Sequence, residues 1–263
     1  MKLEVVDFYY FSGTGNTLLA VNAMRQIFSD NGVEVTLFRL EKSNPLEINL
    51  NHAIGIAFPV AAQGTYPFVW DFINALPETD GTFIFMLDTL AAFSGGIVGP
   101  VKKIVRKKGY CPIGSKEIVM PTNFFPGKIN KEKNERKISK GLKRAESYAD
   151  DLLSGTAEWR RIPILSDLLA FCSRNQRTWR TMRWYFNLRV EESKCVKCGL
   201  CSQLCPNQNI EMNEYPEFKN QCVTCMRCIT FCPNEAIHSK KNKHEKYRTV
   251  SERELLQLQC YRE

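Results

Sequence analysis

Hydrophobic and polar positions fall into regular blocks along the first 125 residues. The β-branched and aromatic run Leu3 to Phe11 ends at the polar stretch Ser12 to Thr17, after which Leu18, Leu19, Val21, Met24 and Ile27 recur at helical spacing. That pattern predicts a strand, a tight loop and a helix. Further apolar runs predict strands over 33–40, 53–58 and 82–87 and a short fifth over 117–120. Helices are expected over 68–76, with Pro67 at the first turn, and over 96–108, stopped at Gly109. Such alternation implies an α/β fold, a doubly wound parallel five-stranded sheet whose ligands sit at the carboxyl ends of the strands.

Beyond the fifth strand, an apolar exit over 120–125 ends at Pro126 and Gly127. Ile138, Leu142, Ala145, Ala149 and Leu152 then mark one face of a helix that stops at Gly155. A second helical pattern over 166–187 carries Leu168, Leu169, Phe171, Trp179, Met182 and Tyr185, enough large apolar side chains to demand burial. It is expected to pack between the sheet and whatever follows. The stretch 239–248 is polar and basic, with a short helix expected over 251–259.

Cysteine usage changes the picture. Of eleven cysteines, eight lie between Cys195 and Cys232. Cys195, Cys198, Cys201 and Cys205, followed by Pro206, satisfy CxxCxxCxxxCP, and Cys222, Cys225, Cys228 and Cys232, followed by Pro233, satisfy it again. Three thiolates two residues apart can wrap one cubane, while the fourth, beyond the longer gap, reaches the other cluster. This assigns Cys195, Cys198, Cys201 and Cys232 to one 4Fe–4S cluster and Cys222, Cys225, Cys228 and Cys205 to a second. Zinc usually takes two separated cysteine pairs, and the third cysteine in each half and the proline after each fourth argue against it. Residues 194–238 resemble the bacterial two-cluster ferredoxins throughout, with 209–211 and 236–238 in the positions of the short strands after each motif. Cys111, Cys172 and Cys260 read as ordinary thiols, and His52, His238 and His244 stand at no metal-ligand spacing. The aromatic residues Trp159, Trp179, Trp184, Tyr185 and Phe186 read as core rather than as electron relays.

The loop after the first strand carries its own chemistry. Backbone amides of a glycine-containing turn that opens a helix form an anion site. A triphosphate loop would need GxxxxGK and a dinucleotide fingerprint a third glycine where Leu18 stands, so neither fits. Ser12, Gly13, Thr14, Gly15, Asn16 and Thr17 instead suit one phosphate monoester held by neutral donors. SGTGNT after a first strand resembles the phosphate loop of flavodoxins, which hold FMN, and the resemblance covers about the first 125 residues. It implies that Pro59, Val60, Ala61, Ala62 and Gly64 line one side of the flavin ring and Thr89, Leu90, Ala91, Phe93, Gly95 and Gly96 the other. The pattern departs from flavodoxins with two aromatic ring partners, since Phe93 is the only aromatic in the fourth-strand loop and Tyr66 lies late in the third.

The chain as a whole resembles flavodoxin and ferredoxin fusion proteins of anaerobes, dividing into a flavodoxin-like domain over 1–157, a helical connector over 158–190, a small α+β ferredoxin domain over 191–238 and a basic tail over 239–263. With 263 residues, 44% hydrophobic and 24% charged, about two globular domains are expected, and disorder is excluded. The uncharged stretch 53–70 is broken by Pro59 and Pro67, so no membrane span is expected, and a cytoplasmic location is. The net charge of +8 is uneven, with 15 basic and 7 acidic residues between 128 and 190. Mixed signs at helical spacing argue against nucleic acid and for a solvated face or one that docks an acidic redox partner. Three functions are open: electron transfer among two 4Fe–4S clusters, FMN and redox partner proteins; FMN-dependent reduction of a small organic acceptor; and a binding module without flavin. Clusters exchange single electrons and FMN one or two, which favours the first.

Overall fold

Five strands carry the apolar runs: β1 (Val5–Tyr10), β2 (Glu34–Arg39), β3 (Ala53–Pro59), β4 (Phe83–Leu90) and β5 (Cys111–Val119). The computed structural model describes residues 3–92, 96–123, 129–159, 171–239 and 245–257. All five strands pair in parallel, in the order β2-β1-β3-β4-β5. This is the flavodoxin-like order, whose switch point between β1 and β3 opens a crevice at the carboxyl edge. Phe8 and Tyr10 of β1 enter one core while Tyr9 and the following Phe11 enter the other, the period-2 alternation of a strand buried on both faces.

Two strands differ from the sequence expectation. β5 starts at Cys111 rather than at 117 and runs for nine residues. It is an edge strand, where Pro112 is tolerated, and its mixed exposure blurs the alternation that would have announced it. β4 continues to Leu90, so Asp88, Thr89 and Leu90 belong to the strand rather than to the loop after it.

The long helix α4 (Lys131–Ser154) packs beside α1 (Asn16–Asp30), whereas α2 (Pro67–Ala75) and α3 (Val98–Lys107) cover the opposite face. Asn130 accepts a hydrogen bond from the Lys133 amide at 2.8 Å to start α4, and Gly155 at φ 74° ends it. In the connector, α5 (Gln176–Phe186) is capped by Asn175 and buries Trp179 and Phe186, while Trp184 and Tyr185 are exposed. Leu168 and Leu169 of the expected connector helix, and the exit residues from 124 to 128, lie outside the described residues.

The cysteine-rich segment forms two antiparallel pairs. β6 (Leu188–Val190), within the expected connector, pairs with β9 (Ile237–Ser239), and β7 (Ile210–Met212) pairs with β8 (Pro216–Phe218). Two single-turn helices complete it, α6 (Leu200–Gln203) and α7 (Arg227–Thr230). Leu204 and Phe231 of this segment, together with Val250 and Leu255 of the tail, share one core with Leu18 and Val21 of α1. The tail, with its helix α8 (Glu252–Gln257), is therefore packed rather than solvated. Among the described residues no helix is long and apolar enough to cross a membrane.

Leu255 is 1% exposed, so Leu255→Ala should cost about 2–4 kcal/mol in denaturant unfolding. A change below about 0.5 kcal/mol, the range of surface substitutions, would show that the tail does not dock.

Candidate metal and phosphate sites

The two cysteine motifs are one structure used twice. Each feature of the first half recurs 27 residues later: Cys195, Cys198, Cys201 and Cys205 as Cys222, Cys225, Cys228 and Cys232; α6 as α7; β7 as β9. The backbone repeats too, with positive φ at Lys197 and Thr224, at Gly199 and Met226, and at Gln208 and Glu235. Non-glycine residues adopt that region at a cost, so its recurrence at matching positions marks a chain path imposed by what each half wraps.

Each set of four cysteines surrounds a cavity, and the sets are crossed between halves. Cys222, Cys225 and Cys228 share their cavity with Cys205, and Cys195, Cys198 and Cys201 share theirs with Cys232. The thiols stand around these spaces instead of converging: among the described residues no three His, Cys, Asp or Glu side chains are grouped to hold one ion. Four thiols lining one cavity suit a cluster with a metal at each corner. Backbone amides already point at the sulfurs, with Asn209 donating to Cys205 Sγ at 3.2 Å, Thr224 to Cys222 Sγ at 3.4 Å and Ala236 to Cys232 Sγ at 3.2 Å. Burial pushes the Cys225 thiol up to about 12, against the opposing Arg227 charge, and the Cys201 thiol up to about 11. A thiolate at either place needs positive charge in the cavity, which iron would bring.

The halves differ in what surrounds them. Val196 is 58% exposed, whereas its counterpart Val223 is buried against the sheet domain. The anchor is Arg227, which stands where the first half has Leu200. Its guanidinium donates to the Ser12 carbonyl at 2.9 Å, to the Leu204 carbonyl at 3.1 Å and to Glu41 at 2.7 Å, and lies 4.4 Å from the Phe11 ring centroid. Arg39 holds the same Glu41 oxygen at 2.8 Å. Burial raises the Glu41 carboxyl, but the charges of Arg227 and Arg39 and their hydrogen bonds outweigh it and hold the group below its usual range. Nothing in the cysteine spacing signalled this residue; a lone arginine between ligand cysteines, in a segment poor in cations, was the available clue.

The Ser12–Thr17 loop lies under this contact and is buried, with Ser12 at 0% and Thr14 at 2% exposure. Ser12 Oγ accepts from the amides of Gly15 and Leu18, and the Leu19 amide reaches the Gly15 carbonyl. Of the first four amides of α1, those of Asn16 and Thr17 remain without a helical partner, as an anion site requires. The hydroxyls of Thr17 and Thr89 meet at 2.8 Å, and Asn123 donates to Thr14 Oγ1 at 2.9 Å. The donor set fits a phosphate monoester. The glycines, however, answer to the protein's own packing. A Cβ at Gly13 would stand 2.8 Å from the Cys225 carbonyl, and one at Gly15, where φ is 112°, would collide with Thr249 Oγ1. The tail closes that side, with Tyr247 donating to Asn16 Oδ1 at 2.7 Å and the Thr249 amide to the Thr14 carbonyl at 3.0 Å.

The third-strand loop adjoins the connector. Ala61 and Gly64 exchange hydrogen bonds across a tight turn whose Ala62 and Gln63 have positive φ, and the Val60 amide bonds the Thr89 carbonyl. A Cβ at Gly64 would meet Ser173 Oγ, which accepts from Trp70 Nε1 at 3.0 Å, and Trp179 lies 5.6 Å from Tyr66. Pro59 and Leu90 end neighbouring strands, and Ala91 and Gly96 flank the gap in which Phe93 and Gly95 lie outside the described residues. Asp88 is fully buried with neither oxygen partnered, and burial, then Glu117, push its carboxyl well above the usual range.

Residues 188–211 match the family model described as a 4Fe-4S binding domain. No curated protein matches the chain. Among solved structures, the chain is similar to a flavodoxin from the domain Archaea, at 12% identity over 56% of this chain and 98% of that one, with a TM-score of 0.39. It is similar to the flavodoxin of Streptococcus pneumoniae TIGR4, at 14% identity over 57% and 98%, with a TM-score of 0.43. It is likewise similar to two-electron reduced Megasphaera elsdenii flavodoxin, at 21% identity over 53% and 98%, with a TM-score of 0.39. The chain joins a flavodoxin-like sheet, defined by its strand order, to a 4Fe–4S binding domain.

Breaking the buried pair should be costly. Arg227→Met leaves Glu41 with Arg39 as its remaining cation and the Ser12 and Leu204 carbonyls without their donor, and is expected to lose about 1–3 kcal/mol of unfolding free energy, whereas Glu41→Leu, which strands both buried arginines, should lose about 3–5 kcal/mol. Because the folded Glu41 carboxyl is lowered from 4.5, its contribution is complete above that value and lost as pH falls through the folded one. Glu41→Gln should therefore flatten the acid limb of the stability curve, and an unchanged limb would show that the pair does not carry it.

Proposed function

We propose that the protein transfers electrons between two 4Fe–4S clusters and an FMN held at the Ser12–Thr17 loop, and exchanges them with partner proteins. The carrying observation is the 27-residue repeat, which surrounds a second cavity with Cys205, Cys222, Cys225 and Cys228 just as Cys195, Cys198, Cys201 and Cys232 surround the first. The match to a 4Fe–4S binding domain covers the first half only, and the repeat extends the same chemistry to the second.

The residues then have distinct tasks. The cysteines supply thiolates, and the amides of Asn209, Thr224 and Ala236 stabilise sulfur charge. The amides of Asn16 and Thr17, with the hydroxyls around them, would hold the FMN phosphate, and the loops at Ala61 and Ala91 would flank its ring. FMN would supply a centre able to hold one or two electrons. Arg227 keeps the second cysteine set against the phosphate loop, so short covalent and van der Waals paths join the sites. Reduction of a small organic acceptor is less favoured, because the space beside Gly64 is taken by Ser173 and Trp70.

Anaerobically purified protein should contain about eight irons and one flavin per chain. Cys222→Ser should halve the iron and remove one of two interacting paramagnetic signals while leaving the flavin. A preparation with about four irons, or with zinc in place of iron, would overturn the two-cluster assignment; iron without flavin would overturn the FMN assignment alone.

A further inference from the structure

Helix α5 bears three arginines, Arg177, Arg180 and Arg183, and no acidic residue. They recur at three-residue spacing, which keeps them near one another on the helix surface. The opposite face is the structural one: Trp179 and Phe186 are buried, and Trp179 packs on Tyr66. Arg177 and Arg180 are exposed, and among the described residues neither has an ion-pair partner. Beside them Trp184 is 68% exposed and Tyr185 45%.

This face is next to the electron path. An open groove is lined by Arg180, Arg183, Trp184, Phe218, Lys219 and Cys222, and among the described residues no acidic side chain lines it. Arg183 donates to the Cys222 carbonyl at 3.4 Å, so the floor of the groove is a ligand segment of the second cysteine set. Lys219 is paired with Glu211, which leaves the arginines as the unmatched charge. By contrast, the surface around the first set carries both signs, with Lys194 paired to Glu191 and Lys197 to Glu214.

We propose that α5 and this groove are the docking face for an acidic one-electron carrier protein, which delivers its electron to the second cluster at Cys222. The inference rests on the two-cluster reading above and names the partner class and the point of entry. A protein fits better than a small ligand, because ligand pockets enclose most of their occupant whereas this groove is open and its charge continues along the helix to Arg177. Positive charge around an exposed aromatic centre steers an acidic partner and then buries apolar area at the contact. The transfer moves one electron from the reduced carrier to the second cluster; the carrier is oxidised, the cluster is reduced, and no bond forms or breaks.

The test is anaerobic stopped-flow mixing of the holoprotein with a dithionite-reduced bacterial two-cluster ferredoxin of net negative charge, at rising ionic strength. Arg177→Glu with Arg180→Glu touches neither a cysteine nor the Cys222 carbonyl. It should slow reduction on the order of tenfold at low salt and flatten the salt dependence. Iron content and direct reduction by dithionite should not change. An unchanged rate in this variant, or a comparable loss in Val196→Glu at the first set, would overturn the proposal. Failure of the two-cluster reading would appear separately, as a wild-type iron content that does not approach eight per chain.

Discussion

A buried guanidinium with a fixed set of acceptors allows few arrangements of the chain around it. Arg227 and Glu41 are each 1% exposed, and desolvating such charges costs several kcal/mol per ion unless both are paired and bonded. The acceptors come from the loop after β1, from the segment after β2 and from the carbonyl after α6. Two of these acceptors, Ser12 and Glu41, belong to the sheet domain, so satisfying them fixes how the cysteine-rich segment sits on it. The pair thus contributes more to orientation than to net stability, since a well-packed apolar substitute can match buried ion pairs energetically.

That placement explains features that otherwise look like ligand requirements. The glycine at 13 permits the Cys225 carbonyl to approach, and the glycine at 15 admits Thr249. Gly64 does the same for Ser173 of the connector. The carboxyl edge of the sheet is therefore shared: its polar donors suit a phosphate, while its missing side chains make room for the module, the connector and the tail. A flavin-like loop can keep its motif under two separate selections of space, one for a cofactor and one for a fused domain.

The legible parts of the chain were those with strict geometry. The cysteines from Cys195 to Cys232 keep a fixed spacing, and that regularity is repeated in the two cavities they line, each shared between the halves. β1, β3 and β4 are buried on both faces and read as near-continuous apolar runs. β5 was half hidden because an edge strand tolerates Pro112, Gly114 and Lys116, which carry no strand signal. Arg227 and the tail were hidden for another reason. Their partners, Glu41, Ser12, Thr14 and Asn16, are distant in sequence, and contacts of that range leave no local pattern.

The repeat is symmetric in ligands and asymmetric in field, and the second property follows from the first pair of facts. At equivalent positions the first half has Leu200 and the second Arg227; with Arg39 and Glu41 beside it, this buried group carries a net positive charge. Water screens charges near the exposed Cys198 more than near the buried Cys225. For clusters held in these cavities, a buried positive charge favours the reduced, more negative state, and low dielectric around it strengthens that preference. Two otherwise matched cavities thereby differ, and a cluster in the one pressed against the phosphate loop would be the more easily reduced. The arginine that fixes the docking would thus also hold an electron delivered at Cys222 on the side that faces the sheet domain.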